Sequence, residues 1–238
     1  MIERWLVSPA SRSLAAILLL LCLFGVFPWL PATLQAEDAT GPRALRTTPL
    51  TELRSIFPSD VHILIERNAI EAFLVDLDRI PPDWTTVYGQ GHNEPGFDER
   101  LFKLNRERDA LRDGNPALTR RVAFVWTGEL SRFDSDAQAY TVAIGPEFNS
   151  TSWGLVRFKP EEFPSDLRVR PDKNLADRIS RSLSKGGKVQ VFVVMAGKLI
   201  PAESIIYDFS HDEEGVGLVM PVVRIEQVEV LVRDPPAS

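Results

Sequence analysis

The feature that most constrains the fold is a change of hydrophobic period at Arg121. From that residue apolar side chains alternate along the chain, with Val122, Phe124 and Trp126 on one face. A period of two is typical of a β-strand, whereas the apolar residues upstream follow a helical spacing. The sequence therefore predicts an α+β protein, with a helical part first and a β-rich part after it.

The first predicted helix covers Asn68 to Ile80. Ile70, Phe73, Leu74 and Leu77 fall at positions i, i+3, i+4 and i+7, which gives one apolar face, and two prolines follow the helix. The apolar run of residues 61–65 just before it is consistent with either a strand or an earlier turn of the same helix.

A second helix is predicted from Asp98 to Asp113, with Gly114 as its stop. Leucines mark its inner side. Its arginines are predicted to form a solvated face, and these are Arg100, Arg106, Arg108 and Arg112.

Four more strands and one helix are predicted after the strand at Arg121. These are a second strand at Tyr140–Ile144, a third at Trp153–Phe158, a helix at Leu175–Leu183, a fourth strand at Val189–Met195 and a last one at Val222–Val232. Trp126 and Trp153 occupy alternating strand positions and are predicted to be core residues.

This order of elements resembles the oligonucleotide/oligosaccharide-binding (OB) barrel. The resemblance covers about Arg121 to Arg233 and consists of three strands, a helix and two strands, with Gly128 inside the first strand. It implies N-terminal helices plus a five-stranded OB-like β-barrel that carries a helix between strands 3 and 4. A β-sandwich with a helical cap explains the same alternation.

The predicted organisation has five parts. A signal peptide or N-terminal anchor occupies residues 1–36, a linker 37–50, a helical segment 51–117, the OB-like domain 118–233 and a short tail 234–238.

The first part has the features of an export signal. Arg4 and Arg12 precede an uncharged apolar run, residues 14–27, and Ala36 offers a cleavage site before a polar chain. Cleavage there predicts a periplasmic protein. If the leader is retained, residues 14–30 form an inner-membrane anchor with the domain outside.

Removal of the leader changes the composition in two ways. The single cysteine, Cys22, is lost, which excludes disulfides, thiol catalysis and cysteine metal sites in the mature chain. The formal net charge becomes −7, which disfavours nonspecific nucleic-acid binding.

Two acidic loops are the first candidates for a ligand site. One contains Asp134 and Asp136, and the OB resemblance places the other on the same rim of the barrel. The second loop contributes Asp208, His211, Asp212, Glu213 and Glu214. Oxygen-rich loops of this kind suit a divalent cation such as calcium, or a basic partner. The alternative is a solvated turn of a hairpin formed by residues 205–209 and 216–220.

The glycine-containing loop from Tyr88 to Gly96 is a second candidate, because His92 and Glu94 could act as acid, base or ligand. A connector between two helices has the same composition.

The sequence contains none of the common short catalytic or nucleotide-binding motifs, and it identifies no cofactor. We therefore expect a non-catalytic binding or interaction module of the bacterial cell envelope, with an envelope protein or glycan as its partner. An envelope polysaccharide hydrolase that uses paired carboxylates is the alternative.

Overall fold

The computed structural model describes residues 41–89, 95–164, 166–201, 205–210 and 215–233. The strands within these ranges are β1 Arg43–Arg46, β2 Val61–Ile63, β3 Arg121–Asp134, β4 Ala139–Gly145, β5 Asn149–Thr151, β6 Gly154–Val156, β7 Lys159–Pro160, β8 Arg168–Arg170, β9 Gln190–Leu199, β10 Ile205–Phe209 and β11 Gly217–Val232. The α-helices are α1 Arg67–Asp78, α2 Trp84–Tyr88, α3 Phe97–Arg112 and α4 Lys173–Ser184, and 3₁₀ helices occur at Leu50–Ser55 and Pro116–Thr119.

Six of the strands close into a mixed β-barrel. The ring runs β1, β8, β4, β3, β9, β11 and back to β1. Strand β1 is parallel to both of its neighbours, whereas the other ring pairings are antiparallel. The α+β prediction with a barrel is thus confirmed, and the predicted number of five strands is wrong because β1 completes the ring.

Strand β1 lies inside the segment that was predicted to be a linker. Leu45 pairs with Val230 of β11, and Arg43 pairs with Val169 of β8. Only Leu45 of this strand is buried. Backbone hydrogen bonds on both sides therefore fix β1 in the barrel, even though its side chains are mostly polar.

The third strand of the ring also differs from the prediction. Residues 153–158 contain β6, which pairs with β5 and with the first residues of β11 outside the ring. The ring position is occupied instead by β8, where Val169 pairs with Tyr140 of β4. The predicted helix between the third and fourth ring strands is present as α4.

Apolar side chains fill the barrel. Alternate residues of β3, including Phe124 and Trp126, lie inside with valines of β9 and β11. Trp126 and Trp153 are both buried, as predicted. Leu175 and Ile179 of α4 belong to the same core. On another side, Phe73 of α1 packs on Phe158, which stacks on Phe124.

A smaller cluster covers the outer face of the sheet. Leu53, Phe57 and Val61 pack against Ala123 of β3 and Leu231 of β11. The apolar run before α1 begins as a strand, because β2 pairs in parallel with the start of β3.

Helix α3 does not have the solvated arginine face that the sequence predicted. Arg108 and Arg112 are buried. Arg112 binds both carboxylate oxygens of Asp78 at 2.9 and 3.2 Å, and Arg108 donates to the backbone carbonyls of Asp78, Ile80 and Pro81. The two arginines therefore attach α3 to the end of α1.

Trp84 fixes the short helix α2 to the sheet. Its indole N–H donates to the carbonyl of Trp153 at 2.6 Å, and its ring covers Gly217, where an added Cβ would overlap the indole. Across the described ranges, no helix is both long enough and apolar enough to cross a bilayer.

Candidate functional site

A cleft of about 540 Å³ lies between the turn that joins β3 to β4 and the helix α4. We call it the turn–helix cleft. Its lining residues are Ser131, Phe133, Gln138, Tyr140, Arg170, Pro171, Ala176, Ser180 and Leu183.

The cleft exists because one strip of α4 carries small side chains. Leu175 and Ile179 are buried in the core and hold the helix against the barrel. Ala176 and Ser180, each one position further along, are too short to fill the space beside them. Asp172 caps the helix by accepting the N–H of Leu175 at 2.9 Å, which fixes its start.

Two aromatic rings form the wall opposite the helix. Phe133 and Tyr140 are cross-strand partners on β3 and β4, with ring centroids 4.9 Å apart. Tyr140 is buried, and its hydroxyl lies 3.4 Å from the hydroxyl of Ser180. Phe133 is 46% exposed, so it offers a ring to solvent beside polar groups.

Hydrogen bonds hold the rim of the cleft in place. Arg170 donates to the carbonyl of Ala137 at 2.8 Å and to that of Gln138 at 3.4 Å. One carboxylate oxygen of Asp134 accepts the N–H groups of Asp136 and Ala137 at 2.9 and 3.1 Å. The turn that borders the cleft is therefore fixed from both sides.

The hydrogen bonds to Asp134 predict a pH dependence. The N–H groups of Ala137 and then Asp136 lower the pKa of Asp134, because they favour its charged form. The charged carboxylate thus stabilises the turn at pH values above the unfolded-state pKa of an aspartate, about 3.9. This stabilisation is lost as the pH falls through the lower folded-state pKa of Asp134. Carboxyl ¹³C NMR should show Asp134 titrating below the ordinary value of an aspartate, about 3.9.

A matched pair of variants tests this effect. Asp134→Asn keeps an acceptor for the two N–H groups but removes the titration, so the acid stability curve should lose this contribution. Asp136→Asn keeps the backbone N–H that donates to Asp134 and should therefore retain this contribution. An equal loss of the contribution in both variants would contradict the assignment.

The structure does not bring Asp208, the described residue of the second acidic loop, next to Asp134 and Asp136. Asp134 is the last residue of β3 and Asp136 lies two positions beyond it, next to the turn–helix cleft. Asp208 pairs with Leu218 at the start of β11, beyond the opposite end of β3, and its carboxylate accepts the N–H of Phe209 at 2.8 Å. The expectation of one shared rim is therefore wrong for these three residues.

The remaining predicted site residues, His92, Glu94, His211, Asp212, Glu213 and Glu214, lie outside the described ranges. Strands β10 and β11 pair antiparallel, as the hairpin alternative predicted. Among described residues, no group of three or more His, Cys, Asp or Glu side chains could hold a metal ion. Calcium at the second acidic loop stays a prediction.

No family model, curated protein or solved structure matches the chain. The functional inference therefore depends on the chemistry of the cleft. Sequence reasoning included the bordering aspartates but missed Phe133, Tyr140 and the wall of α4. The available signal was the pair of small residues Ala176 and Ser180 at helical spacing beside the buried Leu175 and Ile179.

Proposed function

We propose that this protein is an exported, non-catalytic binding module of the bacterial cell envelope, and that it binds a glycan in the turn–helix cleft. The observation that carries the proposal is the exposed ring of Phe133 beside the polar groups of the same cleft. The leader sequence supports the compartment.

The cleft combines the two kinds of group that recognise sugars. An aromatic face packs against the C–H surface of a sugar ring, as Phe133 can do here. Hydroxyl, amide and guanidinium groups exchange hydrogen bonds with sugar hydroxyls, and Ser131, Gln138 and Arg170 supply them. A fixed rim reduces the ordering cost of binding.

The strand order supports an OB-type barrel with β1 as a sixth strand. Without β1, the ring consists of β3, β4, β8, β9 and β11, with α4 between the third and fourth of these along the chain. OB barrels include oligosaccharide binders. A shared barrel does not specify a ligand, so the residues of the cleft are the direct support for glycan binding.

Binding of oligosaccharides prepared from bacterial envelope polymers to the full-length protein tests the proposal. Phe133→Ala should weaken binding about tenfold or more, because the ring surface that packs on the sugar is removed. Phe102→Ala is the matched control, since Phe102 is an exposed phenylalanine on α3. Isothermal titration calorimetry gives the affinities.

The glycan recovered after incubation should be intact. Shortened glycan would instead support a hydrolase that uses paired carboxylates. Absence of binding to every envelope polymer, or equal affinities of wild type and Phe133→Ala, would refute a glycan site in this cleft.

A further inference from the structure

A second site is indicated by Arg157, which directly follows β6. The N–H of Arg157 donates to the carbonyl of Val219 at 3.0 Å, so its backbone position is fixed. Its guanidinium carbon lies 5.7 Å from the ring centroid of Trp126 and 5.7 Å from that of Phe148. Phe163 lies on the same indole, with ring centroids 5.7 Å apart. Two aromatic rings therefore contact the cation, and a third ring, Phe163, packs on one of them.

This cation has no anionic partner in the part of the chain that the structure describes. Its Nε–H is buried without a hydrogen-bond acceptor, and its side chain makes no ion pair with a described residue. Glu161, four positions later in the sequence, is paired with Arg224 instead, because both of its carboxylate oxygens accept hydrogen bonds from Arg224 at 2.7 and 2.9 Å. A guanidinium offers five N–H donors, and a partly buried one without a counter-ion favours an incoming anion.

The cluster is open to a ligand. Phe148 and Phe163 are 40% and 52% exposed, and they come from the loops that follow β4 and β7. Arg157 itself is only partly buried. A ligand can thus reach the guanidinium edge while its apolar surface covers the two phenyl rings.

The surrounding charge selects the kind of anion. Glu147 and Glu162 directly precede the two exposed phenylalanines in the sequence, so the loops that carry these rings also carry carboxylates. Their repulsion is greater for a doubly charged phosphate than for a singly charged carboxylate. Planar carboxylates also match the guanidinium in a bidentate geometry.

We infer that Arg157 binds the carboxylate group of a ligand, and that a ring of the same ligand packs on Phe148 and Phe163. A uronic acid has this combination of a carboxylate and a sugar ring. The site is independent of the turn–helix cleft, because Trp126 and Phe133 are seven residues apart on β3, about 20 Å along an extended strand.

Nitrogen-15 NMR of arginine side chains tests the inference directly in the full-length protein. Titration with sodium glucuronate should shift the Nε–Hε signal of Arg157 in a saturable way. Glucose, the neutral matched probe, and inorganic phosphate should produce much smaller shifts. A phosphate response equal to that of glucuronate would overturn the carboxylate assignment, and absence of any glucuronate response would overturn the site.

Two variants separate recognition from folding. Arg157→Gln removes the charge and should weaken glucuronate binding at least about tenfold. Phe163→Ser removes an exposed ring, leaves the core intact and should weaken binding several-fold, so the test remains decisive if Arg157→Gln does not fold. Phe133→Ala should bind glucuronate like wild type. Unchanged binding by Phe163→Ser would overturn the proposed packing of the ligand.

Discussion

Replacement of Arg112 by methionine is expected to destabilise the folded protein by about 3–5 kcal/mol. The Arg112 side chain is 1% exposed and that of Asp78 is fully buried. Arg112 also donates to the carbonyl of Ile205 at 3.2 Å and binds Asp109. Loss of the guanidinium leaves the carboxylate of Asp78 buried without its main partner. The free energy lost in this way is larger than the net stabilisation that the intact ion pair provides. Urea denaturation followed by tryptophan fluorescence measures the change.

The destabilisation should depend on pH in a defined direction. Burial raises the pKa of Asp78, while Arg112 opposes that rise. Without Arg112 the pKa rises further, and a folded-state pKa above the unfolded value means that the folded protein binds the proton more tightly. The variant should therefore lose stability as the pH rises from the unfolded pKa, about 3.9, to the raised folded value. Its deficit relative to wild type should be smaller in acid than at neutral pH.

Two further variants provide the controls for this prediction. Arg106→Met changes an exposed arginine on the same helix and should alter stability by less than about 0.5 kcal/mol. The double variant Asp78→Leu with Arg112→Met removes both charges and should recover most of the loss. A deficit for Arg112→Met no larger than that for Arg106→Met would show that the pair does not stabilise the fold.

The same buried pair shows where sequence reasoning stopped. Periodicity located α1 and α4 because their apolar faces lie against the core. It also located α3, although Leu101 and Leu104 are only partly buried there and Leu111 is exposed. It could not separate Arg112 from Arg106, since each is an arginine on a polar helix face. Burial of Arg112 depends on Asp78, which lies 34 positions earlier in the chain. No local pattern encodes that contact.

The ring strands show a second limit. Strands β3, β9 and β11 are long and buried, so their alternation is strong. Strands β1 and β8 have one buried side chain each and are held by backbone hydrogen bonds. Because such bonds do not require alternating apolar side chains, the sequence of these strands shows little periodicity. Residues 153–158 misled the prediction because Trp153, Val156 and Phe158 are buried in the main core although their backbone is not part of the ring.

The candidate sites are still harder to predict, because both depend on tertiary contacts. The turn–helix cleft joins Phe133 to Ser180, and the Arg157 cluster joins residues from β3 and two loops. Each residue in isolation is typical of an ordinary strand, helix or loop.

Replacement of Gly197 by alanine is the other substitution with a large expected effect. Gly197 lies on β9 opposite Ile225, where β11 contains a bulge. A Cβ at this position would overlap the carbonyl of Arg224, and backbone cannot move aside as a flexible side chain can. The β9–β11 pairing would have to separate at the bulge, so we expect a loss of about 3 kcal/mol or more.

Gly145→Ala is a matched control for this change. Gly145 also lies in a ring strand, β4, but no atom lies within 4 Å of an added Cβ. Its replacement should be neutral or should stabilise the protein by about 0.4–1 kcal/mol, because alanine restricts the unfolded chain. Hydrogen exchange locates the damage: Gly197→Ala should speed exchange of the amides that pair β9 with β11 near residues 197–199 and 223–225. Equal stabilities of the two alanine variants would show that the close approach of Arg224 to Gly197 does not constrain the barrel.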